Sequence, residues 1–456
     1  MRVLIFEPQF AGHNLAHAAR LVRSVADLGC QPVLATSPQA LASDEFDLHL
    51  AGLRERFELF QVQGLRSDKL GRRLRTNGVG ALAGLYRGLV RSIRSTRPGH
   101  VYVPCGNLLA RFGWLPFGLS SALQDCGAEA ETLIIGGRYL QRPRNRKERL
   151  RQQLVLNMIG AGPWRHVHQC NDATDKVLRR HGGRLAEIAR LMPDPIGHVS
   201  YEGRQQARRA LGLPLEGRSM AVVGLVEKRK GIRELATAFR DSSSRLRADD
   251  RLLLLGSFHP DVHAMLQGEF ADLLDSGRVV IIDRRLSQAD FGRAIRAADV
   301  VATVYPHHPY TASMVVAAAA SRRPVLASDS GWIGRTVRRF GLGWRCEPGD
   351  PNDMADAVLA ALHGCENFAP TAAADRFLRY CSDANFGAHW TVRLRQRLGL
   401  PADPEFRTWE WACDEALRAA APPPAEASDR EAERQPLVFF KRITRSQRVE
   451  ASEDAS

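Results

Sequence analysis

The sequence VVGLVEKRKGI at residues 222–232 carries the strongest structural signal in the chain. An apolar run ends at Gly224, a short basic loop follows, and Lys230-Gly231 opens a helical pattern. Glycine permits a tight turn, a lysine supplies positive charge, and a helix start offers free N–H groups, so the stretch suits a phosphate. A surface turn with a solvated lysine gives the same pattern, so the stretch needs support from the rest of the chain.

Short apolar runs alternate with longer helical patterns on both sides of this stretch, which predicts parallel-sheet α/β architecture. The prolines of Leu191-Met192-Pro193-Asp194-Pro195 interrupt the alternation and predict a hinge. Predicted strands are 2–7, 31–36, 57–62, 100–103, 131–135 and 167–170 before the hinge, then 220–223, 251–255, 279–282, 300–304, 324–327 and 343–346. Predicted helices are 15–28, 232–239, 288–298, 312–320, 333–339 and 351–362.

Length and composition predict a multidomain intracellular protein with an anionic partner. A chain of 456 residues exceeds one ordinary core, and its net charge of +14 favours a nucleotide, a membrane surface or a nucleic acid. The eight cysteines are scattered without a C-x-x-C pair, so neither a disulfide framework nor a zinc site is expected. The first apolar run is too short for a signal peptide, and no run is long enough to span a bilayer, so we expect a cytoplasmic protein.

These patterns divide the chain into four parts. Residues 1–193 are predicted to form one Rossmann-like domain, and residues 194–365 a second. Residues 366–415 read as helices that pack back on the first domain. Residues 416–456, rich in Ala, Pro and Glu at their start, are predicted to be a disordered tail.

Two facing Rossmann-like domains place their ligands between the carboxyl ends of both sheets, so the loops after the strands hold the candidate site residues. In the loop before the first helix, His13 is the catalytic candidate, and Gly12 and Asn14 are acceptor-binding candidates, although a capping turn with a solvated histidine fits as well. The adjacent His307 and His308 lack metal-ligand spacing, and no metal is expected. Donor-binding candidates, chosen as glycines for close approach, cations for phosphate and hydroxyls for sugar, are Gly224, Arg229, Lys230, Gly231, Gly256, Ser257, Tyr310, Thr311 and Ser313.

A second landmark, Arg323-Pro324-Val325-Leu326-Ala327-Ser328-Asp329-Ser330-Gly331, follows the first at about ninety residues. Together the two resemble the retaining family 4 glycosyltransferases of GT-B fold, over about 360 residues. The family's donor-binding lysine falls on Lys230, but its arginine falls on Leu225. Its two glutamates, eight positions apart, fall on Pro309 and Ala317, and residues 300–328 contain no carboxylate at all.

The resemblance implies transfer of a sugar from a nucleotide-sugar donor to a glycan or lipid-linked acceptor in envelope or exopolysaccharide synthesis. It also implies that the domain of residues 1–193 binds the acceptor and that of residues 194–365 binds the nucleotide-sugar. The nucleotide-sugar is a substrate, and no cofactor is expected. The missing glutamates favour an alternative, a catalytically inactive GT-B-like subunit that recruits a partner or membrane. Acidic replacements in the cleft, such as Glu7, Glu227 or Asp329, would favour an enzyme. A sugar epimerase is a weaker rival, since few carboxylates or histidines occur at the required places.

Two basic stretches have an interpretation of their own. Residues 138–151 hold seven Lys or Arg against one acid, and residues 53–99 hold eleven against three. Such a face on the first domain suggests docking to anionic lipid, on the inner face of the membrane. A solvated arginine-rich surface explains the same residues equally well. Nucleic acid is disfavoured, because the runs lack interleaved aromatic residues.

Overall fold

The computed structural model describes residues 1–10, 14–65, 79–115, 118–197 and 199–413. Met1–Ala412 forms one compact unit, and of the second unit, Cys413–Ser456, only Cys413 is described. The predicted tail, 416–456, therefore lies outside the described residues. The compact unit contains two parallel sheets flanked by helices, as the alternation of apolar runs and helical patterns predicts.

The N-terminal sheet has seven parallel strands in the order β3-β2-β1-β4-β5-β6-β7. Helices cover both of its faces, and the central strands β1 and β2 accordingly bury apolar residues on both sides of the sheet. The strands are β1 (Arg2–Phe6), β2 (Gln31–Thr36), β3 (Glu58–Gln61), β4 (His100–Val103), β5 (Glu129–Leu133), β6 (Trp164–Gln169) and β7 (Ala189–Leu191).

The C-terminal sheet has six parallel strands in the order β10-β9-β8-β11-β12-β13. In both sheets the strand order reverses direction beside the first strand of the half, β1 or β8. This is the switch point at which doubly wound folds bind ligands. The strands are β8 (Ser219–Val223), β9 (Arg251–Gly256), β10 (Val279–Asp283), β11 (Val300–Thr303), β12 (Val325–Ser328) and β13 (Gly343–Cys346).

Helices follow most strands and supply the crossovers that parallel pairing requires. In the N-terminal half they are α1 (Asn14–Asp27), α2 (Pro38–Leu41), α3 (Asp44–Leu50), α4 (Val79–Thr96), α5 (Asn107–Phe112), α6 (Leu119–Cys126), α7 (Arg146–Gly160), α8 (Asp172–His181) and α9 (Gly183–Ile188). In the C-terminal half they are α10 (Arg204–Leu211), α11 (Ile232–Asp241), α12 (Pro260–Glu269), α13 (Ala271–Asp275), α14 (Gln288–Ala297), α15 (Ser313–Ala320), α16 (Gly331–Phe340), α17 (Pro351–Gly364), α18 (Ala372–Tyr380), α19 (Asp383–Arg397) and α20 (Trp409–Ala412). Short 3-10 turns cover Ala51–Arg56, Arg138–Leu140, Lys228–Lys230 and Cys365–Asn367.

The last long helix, α19, lies against the N-terminal sheet and α1. Phe386, Trp390 and Leu394 are buried in the same core as Val3 and other residues of that sheet. The backbone carbonyl of Trp390 also accepts a hydrogen bond of 2.9 Å from the Tyr102 hydroxyl. The chain thus returns to its first half after completing the second.

The structure shifts several predicted strands. β5 begins two residues before the predicted 131–135, and β6 begins at Trp164, three residues before the predicted 167–170. Leu191, the first residue of the predicted hinge segment, ends a short edge strand and pairs with Gln169, and the two prolines lie just beyond that strand. This strand, β7, has three residues, which are too few to give a periodic signal in the sequence. Among the described residues, no helix combines the length and apolar character needed to cross a bilayer.

Candidate functional site

Two glycines bring the loops after β8 and β9 into contact. Gly224 has a φ of 92° and Gly256 a φ of 142°, and a Cβ on Gly256 would lie 2.0 Å from the Gly224 carbonyl oxygen. The Val226 amide donates to the Ser257 carbonyl at 2.8 Å, which extends this pairing beyond the strands. Gly224, Gly256 and Ser257, all predicted donor-binding residues, therefore lie together at the carboxyl edge of the C-terminal sheet.

Lys230 folds back over the end of β8. Its side chain is buried, and its Nζ donates to the Val223 carbonyl at 2.7 Å. Burial, with a smaller contribution from Arg229, lowers the lysine pKa to about 8. No carboxylate of the described residues forms an ion pair with Lys230. The site therefore holds a buried amine that a ligand phosphate could pair with at little cost in desolvation.

Gly231 connects this lysine to α11. Its φ is 65°, and a Cβ there would lie 2.3 Å from the Val304 carbonyl oxygen, so glycine is required for the approach to the end of β11. Gly231 is the N-cap of α11 and offers no side chain, which leaves the first N–H groups of the helix without a side-chain cap. Lys230 therefore directly precedes, along the chain, the helix start that presents these amides.

Arg229, the neighbour of Lys230, pairs with an acid of its own loop. Its Nε donates to Glu227 Oε1 at 2.6 Å, and its guanidinium carbon lies 5.8 Å from the centroid of the Tyr305 ring. Tyr305 is buried, which raises its pKa to about 12. Arg229, a predicted donor-binding residue, is thus held beside the loop that follows β11.

The loop after β11, residues 304–312, reaches the N-terminal half. The Tyr310 hydroxyl accepts a hydrogen bond from Gln141 Nε2 at 3.1 Å, and the ring packs so closely on Gly136 that a Cβ there would lie 2.8 Å from it. Thr311 uses its carbonyl oxygen to bind His308 Nε2 at 3.0 Å. Ser313 is the first residue of α15. Of the three predicted hydroxyls, the one on Tyr310 therefore contacts the opposite half of the molecule.

Further contacts join the carboxyl edges of the two sheets. Asn171, which follows β6, donates from its side chain to the Pro309 carbonyl at 3.0 Å. Its neighbour Asp172 accepts from Arg335 of α16 at 2.8 Å. All these residues follow strands, so the loops at the carboxyl edges of the two sheets face each other.

On the N-terminal side, Glu7 follows the end of β1 and is buried. Its Oε1 accepts from the Gln9 amide at 3.0 Å, and its Oε2 has no hydrogen-bond partner among the described residues. Burial raises the Glu7 pKa to about 8, so the carboxyl holds its proton at neutral pH. The Cys105 thiol lies between Glu7 and Asn14 and contacts the Asn14 amide oxygen at 3.1 Å. Asn14 thus begins α1 beside a neutral acid, whereas Gly12 and His13 lie outside the described residues.

The other two acids considered as replacements for the missing glutamates are paired with arginines. Asp329 binds Arg338 at 3.0 Å and Arg345 at 2.6 Å, and Glu227 binds Arg229 at 2.6 Å. At the positions expected for the glutamates, Pro309 contributes the carbonyl oxygen described above, and Ala317 is buried within α15. Leu225, at the expected arginine position, is 46% exposed.

Comparison with known proteins identifies one matching family and several solved structures with a similar fold. Residues 217–364 match the family "Glycosyl transferases group 1". Anabaena Alr3699/HepE, solved with UDP and glucose, superposes with a TM-score of 0.61 at 16% identity, over 87% of this chain and 100% of that one. Sucrose-phosphate synthase from Thermosynechococcus elongatus gives a TM-score of 0.63 at 16% identity, over 88% and 99% of the two chains. WaaG, a glycosyltransferase involved in lipopolysaccharide biosynthesis, gives 0.59 at 15%, over 87% and 99%.

The chain has the GT-B fold of glycosyltransferases. The predicted resemblance, the predicted fold class and the predicted glycosyltransferase class are therefore confirmed. No curated protein matches the sequence. The group 1 match begins just before β8 and ends at the last residue of α17, so it spans the half of this GT-B chain that contains Lys230.

Several residues of this GT-B site could not be predicted from the sequence. Tyr305, Gln141 and Asn171 have no motif around them, and their roles depend on contacts between loops far apart in the chain. Arg335 also lacks a sequence motif, since only the structure shows its pairing with Asp172. The sequence identifies Glu7 as a possible acid of the cleft, but it does not predict that Glu7 is buried and neutral.

Proposed function

We propose that this GT-B protein transfers a sugar from a nucleotide-sugar donor to a glycan or lipid-linked acceptor in envelope or exopolysaccharide synthesis. The observation that supports this most strongly is Lys230, a buried amine without a carboxylate partner among the described residues, beside the uncapped start of α11. HepE, with the same fold, was solved with UDP and with UDP-glucose. The donor is a substrate, and the reaction we propose uses no further cofactor.

Charge develops on the leaving diphosphate during transfer, and Lys230 with the amides of α11 is suited to stabilise it. Preorganised cationic groups and helix N-termini act strongly there because burial limits screening by water. We infer a retaining outcome from the family resemblance. His13 remains the proposed catalytic residue, and Gly12 and Asn14 remain the proposed acceptor contacts.

The proposed donor pocket differs from the family pattern because it lacks the two carboxylates. With Pro309 and Ala317 in place of two carboxylates, hydroxyls and backbone amides of residues 304–313 would have to bind the sugar and ribose. Hydroxyl and amide groups can supply both donors and acceptors, so such a pocket can still hold a nucleotide-sugar.

Turnover tests the proposal. The protein is incubated with UDP-, GDP- and ADP-sugars, with and without glycan or lipid-linked acceptors, and release of the nucleoside diphosphate is measured. We expect release from one donor class, lost in Lys230→Ala and retained in Lys228→Ala, whose exposed amine pairs with Asp261. The anomeric configuration of the product, read by NMR, tests the retaining outcome.

The missing glutamates favour one other function, an inactive binding subunit. Nucleotide binding without release from any donor, under conditions in which the protein is folded, would support that alternative and contradict transfer. Release that survives in Lys230→Ala would instead contradict the role of the lysine.

We also propose that the N-terminal half docks on an anionic membrane at the cytoplasmic face, where lipid-linked acceptors reside. α7 exposes Leu150 and Leu154, which are 69% and 59% accessible and lie one helical turn apart. Each basic residue near such a surface contributes about 1 kcal/mol. The exposed basic residues around the two leucines are Arg142, Arg144, Arg146, Lys147, Arg149 and Arg151.

Vesicle cosedimentation tests the docking surface. Wild-type protein should bind vesicles with anionic lipid more than neutral vesicles, and the double variant Leu150→Gln/Leu154→Gln should bind less. Leu48→Gln, which changes a leucine that is 45% exposed on α3, serves as the matched control. Equal binding by the double variant and the control would contradict this surface.

A further inference from the structure

Arg111, in α5 of the N-terminal half, is a cation without a counter-ion among the described residues. Its side chain is half-buried, and its Nε is enclosed without a hydrogen-bond partner. The guanidinium carbon lies 5.4 Å from the centroid of the Tyr139 ring and 5.2 Å from that of the Phe112 ring. Aromatic faces attract a guanidinium. The rings therefore hold a cation whose N–H groups have no acceptor in the part of the chain that the structure describes.

Contacts between α5 and the loop after β5 bring Arg111 to the carboxyl edge of the N-terminal sheet. Asn107 lies one helical turn before Arg111 on the same face of α5, and its side-chain oxygen accepts a hydrogen bond from the Ile135 amide at 2.9 Å. Gln152 of α7 donates to two carbonyl oxygens of the same loop, residues 135–141, at 2.8 and 2.9 Å. Two helices therefore fix the loop that Arg111 faces.

The Tyr139 hydroxyl is a second polar group without a partner. It is buried, and no described residue hydrogen-bonds to it. Burial raises the pKa of Tyr139, and the charge of the nearby Arg111 lowers it in part, so the hydroxyl is neutral and close to the guanidinium. Two residues further on, Gln141 donates to the Tyr310 hydroxyl at 3.1 Å, where the two halves of the molecule meet. Unpaired polar groups at such a place indicate a site that a ligand or ordered solvent completes.

The segments that meet around Arg111 contain no carboxylate side chain. They are residues 104–115, 132–147 and 300–328, and the first two together hold six Lys or Arg. Glu148, the first acid after residue 147, accepts a hydrogen bond from the Arg144 amide at 2.7 Å. The surroundings of Arg111 are thus positively charged, which favours an anionic ligand.

We propose that Arg111, held in place by the Tyr139 ring, binds a phosphate group of the acceptor, an inference that rests on the proposed sugar transfer. A guanidinium presents parallel N–H groups that match two oxygens of a phosphate. Lys230, proposed to bind the donor diphosphate, lies in the other half, so the two anions have separate sites. α7, which exposes Leu150 and Leu154, packs on α5. The phosphate of a lipid-linked acceptor would therefore lie beside the proposed docking surface.

Direct binding tests this subsite on full-length Lys230→Ala protein, in which the proposed donor site is removed. Calorimetric titration uses inorganic pyrophosphate, which supplies the anion alone, and farnesyl diphosphate, which adds a short isoprenoid chain. We expect binding of both, weakened about 10- to 100-fold by a further Arg111→Gln, the usual effect of removing hydrogen bonds to a charged group. Arg111→Lys keeps the charge but loses the planar fork, and it should also bind more weakly than the parent.

The two probes distinguish the possible sources of the phosphate. Tighter binding of farnesyl diphosphate than of pyrophosphate would support a lipid-linked acceptor. Equal binding would support a soluble acceptor that carries a phosphate.

Arg209→Gln in the same background is the matched control, because it removes the same charge from an exposed arginine of α10. Thermal unfolding checks that each variant is folded. The proposal is overturned if Arg111→Gln binds the probes as tightly as Arg209→Gln does, or if folded Lys230→Ala protein binds neither probe. Where Arg111→Gln does not fold, undiminished binding by Arg111→Lys overturns it. Binding is measured without turnover, so failure of this subsite and failure of sugar transfer are separate results.

Discussion

At the scale of single residues, Lys230 and Glu7 have their ordinary ionisation changed by burial. Among the described residues, Lys230 has only a backbone carbonyl as its side-chain hydrogen-bond partner, and its pKa falls to about 8. Glu7, in the N-terminal half, is buried away from solvent, and its pKa rises to about 8. The pH dependence of binding and of stability should therefore report on these two groups separately.

Nucleotide affinity should fall with pH because of Lys230. A bound diphosphate stabilises the charged amine and raises its pKa above 8, so binding takes up protons above that pH. We expect the dissociation constant to be constant below pH 8 and to rise above it by up to about tenfold per pH unit. Calorimetry between pH 7 and 9 checks this. The Lys230→Ala profile corrects for titration of the nucleotide itself, and identical profiles for both proteins would contradict the prediction.

Stability should depend on Glu7 in the opposite half. The folded state keeps a proton on Glu7 that the unfolded chain loses near pH 4.5, so this contribution to stability is full below pH 4.5 and is lost as pH rises through 8. Glu7→Gln cannot ionise, and it should remove a slope of at most about 1.4 kcal/mol per pH unit. Urea unfolding at several pH values measures it, with the exposed Glu187→Gln as control. An unchanged slope in Glu7→Gln would show that the carboxyl ionises freely.

Sequence reasoning at this scale located Lys230 but not its environment. The basic loop and the glycine after it are visible as a local pattern. The contact of Lys230 with Val223 and the pairing of Arg229 with Glu227 depend on how the loop folds back. Local sequence therefore indicates the position of a candidate phosphate-binding group, and only packing determines which of three adjacent cations is buried.

At the scale of elements, the glycines after β8 and β9 hold the site loops together. Gly256→Ala would place a Cβ 2.0 Å from the Gly224 carbonyl at a φ of 142°. We expect it to destabilise the fold by about 1–3 kcal/mol from backbone strain alone, and to weaken nucleotide binding. Chemical denaturation and calorimetry measure the two effects.

Gly268→Ala is the matched control for that variant. Gly268 lies in α12, and nothing within 4 Å would meet its Cβ. Alanine is the better helix former, so this change should raise stability by up to about 1 kcal/mol. Equal effects of the two substitutions would contradict the close approach of the loops.

Twelve of the thirteen strands were predicted to within about three residues, whereas the edge strand β7 was not predicted. β8 and β12 are buried at every position, and the sequence shows them clearly. β7 is three residues long and lies at the sheet edge, where the prolines that follow it suggest a break. Its pairing with β6 is a tertiary effect that no local window contains.

At the scale of the whole molecule, α19 joins the end of the chain to its beginning. Trp390 is fully buried and contacts Tyr102 and His168. Trp390→Ala should destabilise the protein by about 3–5 kcal/mol, the usual effect of removing a buried aromatic side chain. Trp114→Ala, at a tryptophan that is 43% exposed, should change stability by about 0.5 kcal/mol or less. Thermal unfolding compares the two, and similar shifts would contradict the packing of α19.

The overall architecture was predictable because alternating patterns and two landmarks at fixed separation are long-range features of the sequence itself. The contacts between the two halves were not, because Gln141, Asn171 and Arg335 pair with residues more than a hundred positions away in the chain. The return of α19 was expected, but the contacts of the buried Glu131 with His100, His166 and His168 were not, since these residues lie on three strands.

The most direct measurement for the central claim is calorimetric titration with UDP, GDP and ADP. We predict micromolar binding of one nucleotide by wild type and by Lys228→Ala, and its loss in Lys230→Ala. Absence of binding by any of the three to folded wild-type protein, or undiminished binding by Lys230→Ala, would contradict the claim that Lys230 forms a diphosphate site.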